Sequence, residues 1–98
     1  MRFRIEFSAE ADRDFVLIFD HLFESYRSFG ESVEVALDHC EDRIREIRAG
    51  VDRLGAVPYR GQRHDDLLPG LRHLTINRAI YWFEVDEAEQ RVRILAIF

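Results

Sequence analysis

Apolar residues along this chain follow two kinds of pattern, one typical of strands and the other of helices. At the N-terminus, Phe3, Ile5 and Phe7 alternate with charged residues, the period-two pattern of a strand with one buried face. Two stretches then place apolar residues three and four positions apart, as amphipathic helices do. Three segments rich in β-branched and aromatic residues follow, at residues 71–76, 79–85 and 92–98. This order of strand, helix, helix and three strands predicts an α+β fold.

The boundaries of the two predicted helices rest on capping residues. Ser8 stands where the hydroxyl of an N-cap residue belongs, and Gly30 suits the left-handed residue that ends a helix. Ser28 or Ser32 is expected to cap the second helix, which should end near Gly55. Because the connection between them is short, the helices should form an antiparallel hairpin. This hairpin is expected to pack on an antiparallel sheet in which the first strand lies beside the last.

The second helix carries a narrow apolar stripe, typical of a helix that packs on one partner helix. The stripe steps by three and four positions through Val33, Leu37, Cys40, Ile44, Ile47, Val51 and Leu54. Cys40 is therefore expected to be a core residue and not a nucleophile. Gly50 costs roughly 1 kcal/mol relative to alanine in a helix, so the last turn is expected to fray. Residues 57–69 contain proline, glycine and paired acids, and they predict an irregular loop.

Composition narrows the classes of function. The 98 residues correspond to a single domain, and the abrupt end inside an apolar run predicts a missing short tail beyond Phe98. The formal net charge is −5 and all fourteen basic residues are arginine, which argues against nucleic acid as the primary partner. One cysteine, no leader pattern and no apolar run of ~20 residues predict a cytoplasmic protein without membrane contact. No motif implies a cofactor.

Histidines and acids give little support for catalysis. None of the four histidines has the spacing of a metal-ligand motif, so no metal site is expected. His64 precedes Asp65 and Asp66 and is either a general base with an orienting carboxylate or a solvated loop residue. These acids and those at residues 86–89 lie on predicted loops. They are expected to be solvated, since a glycosidase-type pair must face across a cleft.

The arginines and aromatic residues of the last third are better candidates. A planar guanidinium binds carboxylates, phosphates and aromatic faces. The loop and the strands carry six of these groups: Arg60, Arg63, Arg72, Arg78, Arg91 and Arg93. They either form an anion site or pair with the nineteen acids of the chain. Trp82 alternates with Tyr81 and Phe83, so one face of that strand should meet the helices. The other face is then either covered by a partner or exposed as a binding patch.

Two longer segments carry a further signal. The chain opens with RIEFSAEADRDF, in which Ser8, Ala11 and Asp14 lie at the start of the first helix. It closes with GLRHLTINRAIYWFEVDEAEQRVRILAIF, in which an Arg-apolar-apolar-Tyr strand precedes an acidic turn and an arginine-containing strand. Both segments resemble the ParE/RelE superfamily of toxins from type II toxin–antitoxin systems. The resemblance spans nearly the whole chain and implies a RelE/ParE-like fold in a growth-inhibiting toxin that an antitoxin neutralises.

The resemblance implies different activities for the two branches of the superfamily. RelE-like members are ribosome-dependent mRNA endoribonucleases, and Arg72, Arg78, Tyr81 and His64 fall near their catalytic positions. This chain departs from them in its acidic balance and lack of lysine, which leaves too few positive groups to stabilise a scissile phosphate. ParE-like members, associated with plasmid stabilization, lack this catalytic set and are taken to inhibit DNA gyrase by protein–protein contact. The resemblance therefore favours a ParE-like, non-enzymatic toxin with DNA gyrase as target.

The resemblance also implies how a ParD-like antitoxin binds, in a hetero-oligomer. The antitoxin would lie across the helical hairpin and the sheet edge. Its anchors would be Tyr26, Phe29 and Trp82, and its acids would meet arginines such as Arg60, Arg78 and Arg93. Members of the superfamily usually continue into a short tail implicated in toxicity, which agrees with the abrupt end at Phe98. A partner-binding module that has lost toxicity is the third interpretation, beside the gyrase inhibitor and the ribonuclease.

Overall fold

The described part of the chain forms two helices and five strands, one short strand more than the sequence predicts. The computed structural model describes residues 2–98. The elements are β1 (Arg4–Phe7), α1 (Ala9–Ser28), α2 (Val33–Ala56), one 3₁₀ turn (Pro58–Arg60), β2 (Gln62–Arg63), β3 (Leu71–Ile76), β4 (Ala79–Asp86) and β5 (Arg91–Ile97). The helices cover one face of the sheet, so the predicted α+β class and its order of elements are confirmed.

The strands form a single sheet in the order β1-β5-β4-β3-β2. β1 lies beside β5, as the sequence predicts, but the two strands run parallel. The other neighbours are antiparallel, so the sheet is mixed. The pattern predicts an irregular loop over residues 57–69, whereas Gln62 and Arg63 pair with His73 and Arg72 of β3. This short pairing satisfies backbone groups at an otherwise unpaired edge of β3.

A two-residue turn joins β3 to β4 and sets their register. Asn77 and Arg78 both have positive φ, at 50° and 66°, as the central residues of a type I′ turn require. Asparagine adopts this conformation readily, whereas arginine does so at a cost. The turn places Ile76 opposite Ala79, and the pairing then continues along both strands to Leu71 and Glu84.

The predicted helix caps are confirmed. The Ser8 hydroxyl accepts a hydrogen bond from the Ala11 amide at 3.0 Å, and the Ser32 hydroxyl accepts one from the Val35 amide at 3.2 Å. Ser32 is thus the cap of α2, and Ser28 lies at the end of α1. Gly30 follows α1 with φ 92°, the left-handed conformation that ends a helix.

The core lies between the helices and the inner face of the sheet. Its fully buried side chains include Leu54, Tyr81, Phe83, Val92 and Ile94. α2 continues without interruption to Ala56, so the predicted fraying at Gly50 is wrong. Gly50 is buried under Tyr81, whose hydroxyl donates a hydrogen bond to the Ile47 carbonyl at 2.7 Å. The missing side chain at Gly50 makes room for this hydroxyl.

The end of the helical hairpin extends beyond the sheet and gives the molecule extents of 48 × 28 × 21 Å. Only the later part of the apolar stripe of α2 is therefore buried. Val33 and Leu37, at its beginning, remain 47% and 37% exposed, contrary to a stripe packed along its whole length. Phe29, in the connection between the helices, is 86% exposed. Among residues 2–98, no helix combines the length and apolar character of a membrane-spanning segment.

Candidate functional site

A groove opens where the helical hairpin meets the β3–β4 turn and the end of β5. One part has a volume of about 380 Å³ and an apolar wall of Leu17, Ile18, Leu22, Ile47, Ile97 and Phe98. The polar groups beside this wall are Asp14, His21, Arg43 and Arg78. An adjoining cavity of about 500 Å³ shares Leu22, Arg43 and Arg78 and adds Tyr26, Glu46 and Asn77. The two cavities together are the hairpin groove.

The two arginines of the hairpin groove differ in their partners. Arg43 Nη1 donates to the Asn77 carbonyl at 2.8 Å and to Glu46 Oε1 at 2.9 Å, so it ties α2 to the β3–β4 turn. Arg78 is exposed in that turn and forms no ion pair with any residue in the range 2–98. Its guanidinium is therefore free to bind a carboxylate or another anion at the groove.

The opposite face of the sheet, which carries no helix, is the open face. Trp82 of β4 points there, since its neighbours Tyr81 and Phe83 are buried beneath the helices. His64 Nε2 lies 2.5 Å from His73 Nδ1, and both imidazole rings pack on the Trp82 indole with centroids about 5 Å apart (5.0 and 4.9 Å). These three residues are the His–Trp cluster.

Two arginines of the open face are paired with acids. Arg91 contacts Glu6 at 3.1 Å and Asp86 at 3.2 Å, and Arg93 lies 4.0 Å from Glu84. Because Arg91 and Arg93 each have an acidic neighbour, β5 does not present a positive surface to a phosphate backbone.

Sequence comparisons leave the family open, whereas the fold has known counterparts. No family model matches the sequence, and no curated protein is similar to it. A chain of the chromosomal ParDE toxin–antitoxin system from P. aeruginosa is 23% identical, with a TM-score of 0.70 over 98% of this chain and 94% of that one. A chain of the toxin–antitoxin complex RelBE2 from Mycobacterium tuberculosis is 14% identical, with a TM-score of 0.63 over 99% and 96%.

The protein has a ParE/RelE-like fold. Both matches extend over nearly the full length of the two chains compared, so the likeness includes the helical hairpin as well as the sheet.

Within this ParE/RelE-like fold, the six predicted partner-binding residues do not form one surface. Tyr26 and Arg78 both line the hairpin groove. Phe29 lies at the exposed end of the hairpin, and Trp82 lies on the open face. The remaining two, Arg60 and Arg93, are exposed in the 3₁₀ turn and on β5.

The six arginines that the sequence offers as an anion site do not form one cluster either. Beyond the paired Arg91 and Arg93, Arg63 binds Asp65 at 2.6 Å. Arg72 donates to the Gly61 carbonyl at 3.1 Å, and its guanidinium lies 5.4 Å from the centre of the Tyr59 ring. The alternative interpretation, in which arginines pair with acids and local acceptors, describes most of this set.

The residues proposed for a RelE-like catalytic set also lie apart. Tyr81 is fully buried, and burial raises its pKa to about 12, so its hydroxyl is no acid–base group for an external substrate. Arg72 and Arg78 lie near opposite ends of the β3–β4 hairpin, and His64 is on the open face. Asp65 does not orient His64 as a catalytic carboxylate would, because its oxygens bind Arg63 and the Gly70 amide. The hydrogen bond from the Gly70 amide is the main cause that lowers the pKa of Asp65, and the contact with Arg63 lowers it further.

The His–Trp cluster is the arrangement that sequence reasoning missed. A two-residue turn at Asn77 and Arg78 places His73 opposite Trp82, so this contact was available from the turn alone. The position of His64 could not be predicted in this way, because it depends on the unpredicted strand β2.

Cys40 is buried as expected, and burial, more than the charge of Glu31, raises the pKa of its thiol. Among residues 2–98, no three His, Cys, Asp or Glu side chains converge on a point where they would hold a metal ion.

Proposed function

We propose that this protein is the toxin of a type II toxin–antitoxin system and that an antitoxin neutralises it by binding the hairpin groove. The observation that carries the proposal is the ParE/RelE-like fold, shared over 98% of the chain with a component of a ParDE system. The resemblance in the opening and closing segments points to the same class of protein. Its site of action and of neutralisation would be the cytoplasm.

The chemistry of the hairpin groove indicates what an antitoxin segment would need. The apolar wall, with Leu17 and Leu22, suits aliphatic or aromatic side chains. Arg78 carries no ion pair among the described residues and would bind a carboxylate at the rim. The expected partner is therefore a ParD-like antitoxin segment in which apolar side chains alternate with Asp or Glu. Tyr26 would form an aromatic anchor at the other end of the same groove.

We further propose that the toxin acts on DNA gyrase by protein–protein contact, as expected for a ParE-like protein. The burial of Tyr81 and the ion pairs of Arg91 and Arg93 support this choice, since both count against phosphodiester cleavage on the sheet. Ribosome-dependent mRNA cleavage is the alternative, and loss of toxicity is the third possibility.

Expression of the protein alone in bacteria distinguishes these activities. Arrested growth with a DNA-damage response and altered plasmid supercoiling would support gyrase inhibition. Rapid cleavage of transcripts at codons would instead support a ribonuclease and overturn the gyrase proposal. Normal growth with intact protein would overturn the toxin proposal itself. Rescue on co-expression of the neighbouring reading frame would support its assignment as the antitoxin.

The groove proposal predicts the effect of one charge reversal. Arg78→Glu should weaken binding of the cognate antitoxin by about tenfold or more, because an ionised hydrogen bond contributes about 1.5–3 kcal/mol. The matched control is Arg45→Glu on α2, since Arg45 is 73% exposed, lies outside the groove and pairs with Asp42 of the same helix. Calorimetric titration measures both affinities. Equal affinities for the two variants would contradict binding at the groove.

A further inference from the structure

The His–Trp cluster occupies fixed backbone positions. The amide of His64 donates to the Leu71 carbonyl at 2.8 Å, and its own carbonyl accepts from the Leu67 amide at 3.0 Å. His73 lies in the middle of β3 and is paired with Gln62 on one side and Trp82 on the other. Neither imidazole therefore depends on a mobile loop for its position. The two rings are held side by side before any ligand arrives.

The atoms that meet in this cluster are both potential metal ligands. His64 Nε2 and His73 Nδ1 approach to 2.5 Å, so one nitrogen holds a proton and the other accepts it. When that proton moves to the other nitrogen of its own ring, both imidazoles stay neutral and direct two lone pairs into the same small space. Neutral imidazole suits Zn²⁺, Ni²⁺ and Cu²⁺, whereas Mg²⁺ and Ca²⁺ prefer oxygen ligands.

We propose that His64 and His73 form a binding site for one divalent transition-metal ion on the open face of the sheet. The proton between Nε2 of His64 and Nδ1 of His73 passes through solvent to the other nitrogen of its own ring, and the two facing nitrogens move apart and bind the ion. No third His, Cys, Asp or Glu converges here within residues 2–98, so water completes the coordination. Two protein ligands make a weaker site than the three or four of resident zinc sites, and binding is therefore reversible.

The charged side chains around the site have partners of their own. The guanidinium of Arg63 is engaged by Asp65, and that of Arg72 is turned towards the Gly61 carbonyl, so neither arginine is free to repel a cation. Glu84 lies opposite Leu71 on the same open face, with Arg93 as its neighbour at 4.0 Å. Both imidazoles are only partly buried, so a hydrated ion reaches them from solvent. This proposal does not depend on the toxin–antitoxin assignment.

Trp82 supplies a built-in probe for the test. It is the single tryptophan of the chain, and its ring lies against both imidazoles. Titration of the full chain with Cu²⁺ or Ni²⁺ should quench its fluorescence in a saturable way, with Cu²⁺ the tighter ligand. Chelation should restore the signal, and Mg²⁺ at the same concentration should leave it unchanged. Zn²⁺, which does not quench by itself, is followed by calorimetry.

Histidine variants decide where the ion binds. His64→Gln and His73→Gln should each weaken Cu²⁺ and Zn²⁺ binding at least about tenfold, the lower limit seen even for loss of an outer-shell partner. His21→Gln and His39→Gln remove the two histidines of the helices, neither of which belongs to the cluster, and should bind as the unchanged protein does. Circular dichroism confirms folding of each variant.

Two results would overturn the proposal. One is unchanged Cu²⁺ and Zn²⁺ affinity in folded His64→Gln and His73→Gln variants. The other is saturation with equal affinity by Mg²⁺, which would indicate binding to exposed carboxylates. If His73→Gln fails to fold, His64→Gln still decides the matter, because His64 follows an exposed two-residue edge strand and its loss removes no core side chain.

Discussion

At the scale of single residues, Gly50 of α2 and Tyr81 of β4 depend on each other. Alanine in place of a helical glycine normally stabilises a protein by up to about 1 kcal/mol. Here a Cβ at Gly50 would meet the Tyr81 hydroxyl and ring too closely for either to stay in place. Gly50→Ala should therefore lower the free energy of unfolding by about 1–3 kcal/mol, as overpacking does. Urea denaturation measures the change.

A double-mutant cycle provides the control for this prediction. Tyr81→Phe removes the hydrogen bond to the Ile47 carbonyl and should itself cost about 0.5–1.5 kcal/mol, because that carbonyl keeps its helical hydrogen bond within α2. In the Tyr81→Phe background, Gly50→Ala should cost at least about 0.5 kcal/mol less, because the nearest clashing atom is gone. The same cost in both backgrounds would show that Tyr81 is not what excludes a side chain at Gly50.

The raised pKa of Tyr81 also predicts how the free energy of unfolding changes with pH in the alkaline range. Its folded-state pKa of about 12 lies above the ordinary tyrosine value of 10.0, so the folded state holds the phenolic proton more tightly than the unfolded state. The contribution to stability is therefore complete below about pH 10 and declines as pH rises towards 12. Tyrosinate absorbance of the folded protein should show an ionisation step near pH 12 that Tyr81→Phe abolishes. A step near pH 12 of the same size in the Tyr81→Phe variant would contradict this assignment.

At the scale of elements, Ser8 joins the start of α1 to an irregularity in β5. β5 has one extra residue, Leu95, between the residues that pair with Trp82 and Phe83. The Ser8 hydroxyl accepts from the Ala11 amide and donates to the Leu95 carbonyl at 3.0 Å, so it caps the helix and satisfies the bulge together.

Ser8→Ala should therefore destabilise the protein more than loss of a simple cap. Ser32 is the matched control, because its hydroxyl caps α2 at 3.2 Å in an exposed position and has no second partner among the described residues. We expect about 0.5–1 kcal/mol for Ser32→Ala and about 2 kcal/mol for Ser8→Ala, the upper end for a cap. Thermal and urea unfolding compare the two. Equal costs would mean that the bond to Leu95 contributes nothing.

The elements also show what sequence can predict about this fold. Helix caps and the alternation of β4 are local patterns, and each was predicted correctly from neighbouring residues. β2 is too short to have a pattern, and it exists only because β3 offers an edge. The roles of Gly50 and of the hairpin groove arise from residues far apart in the chain, so no local pattern contained them. A resemblance supplied the ParE/RelE-like fold, but it placed Tyr81 among catalytic candidates although it lies in the core.

At the scale of the whole molecule, the helical hairpin makes the protein elongated. The radius of gyration of 15.0 Å exceeds the ~13 Å expected for a compact domain of about 100 residues. The projecting end of the hairpin also carries an apolar surface, formed by Phe29, Val33, Val35 and Leu37. A single exposed apolar side chain needs no explanation, whereas a group at one projecting end suggests contact with a partner.

This surface yields a prediction that separates binding from folding. Phe29→Ser should change the free energy of unfolding by no more than about 0.5 kcal/mol, because the side chain is 86% exposed. It should nevertheless weaken the antitoxin complex about fivefold or more, since exposed aromatic anchors commonly contribute over 1 kcal/mol at an interface. Leu67→Ser is the matched control, as Leu67 is 69% exposed in the loop before β3, away from the hairpin. Unchanged affinity for Phe29→Ser, measured by calorimetry beside Leu67→Ser, would restrict the antitoxin site to the groove around Arg78.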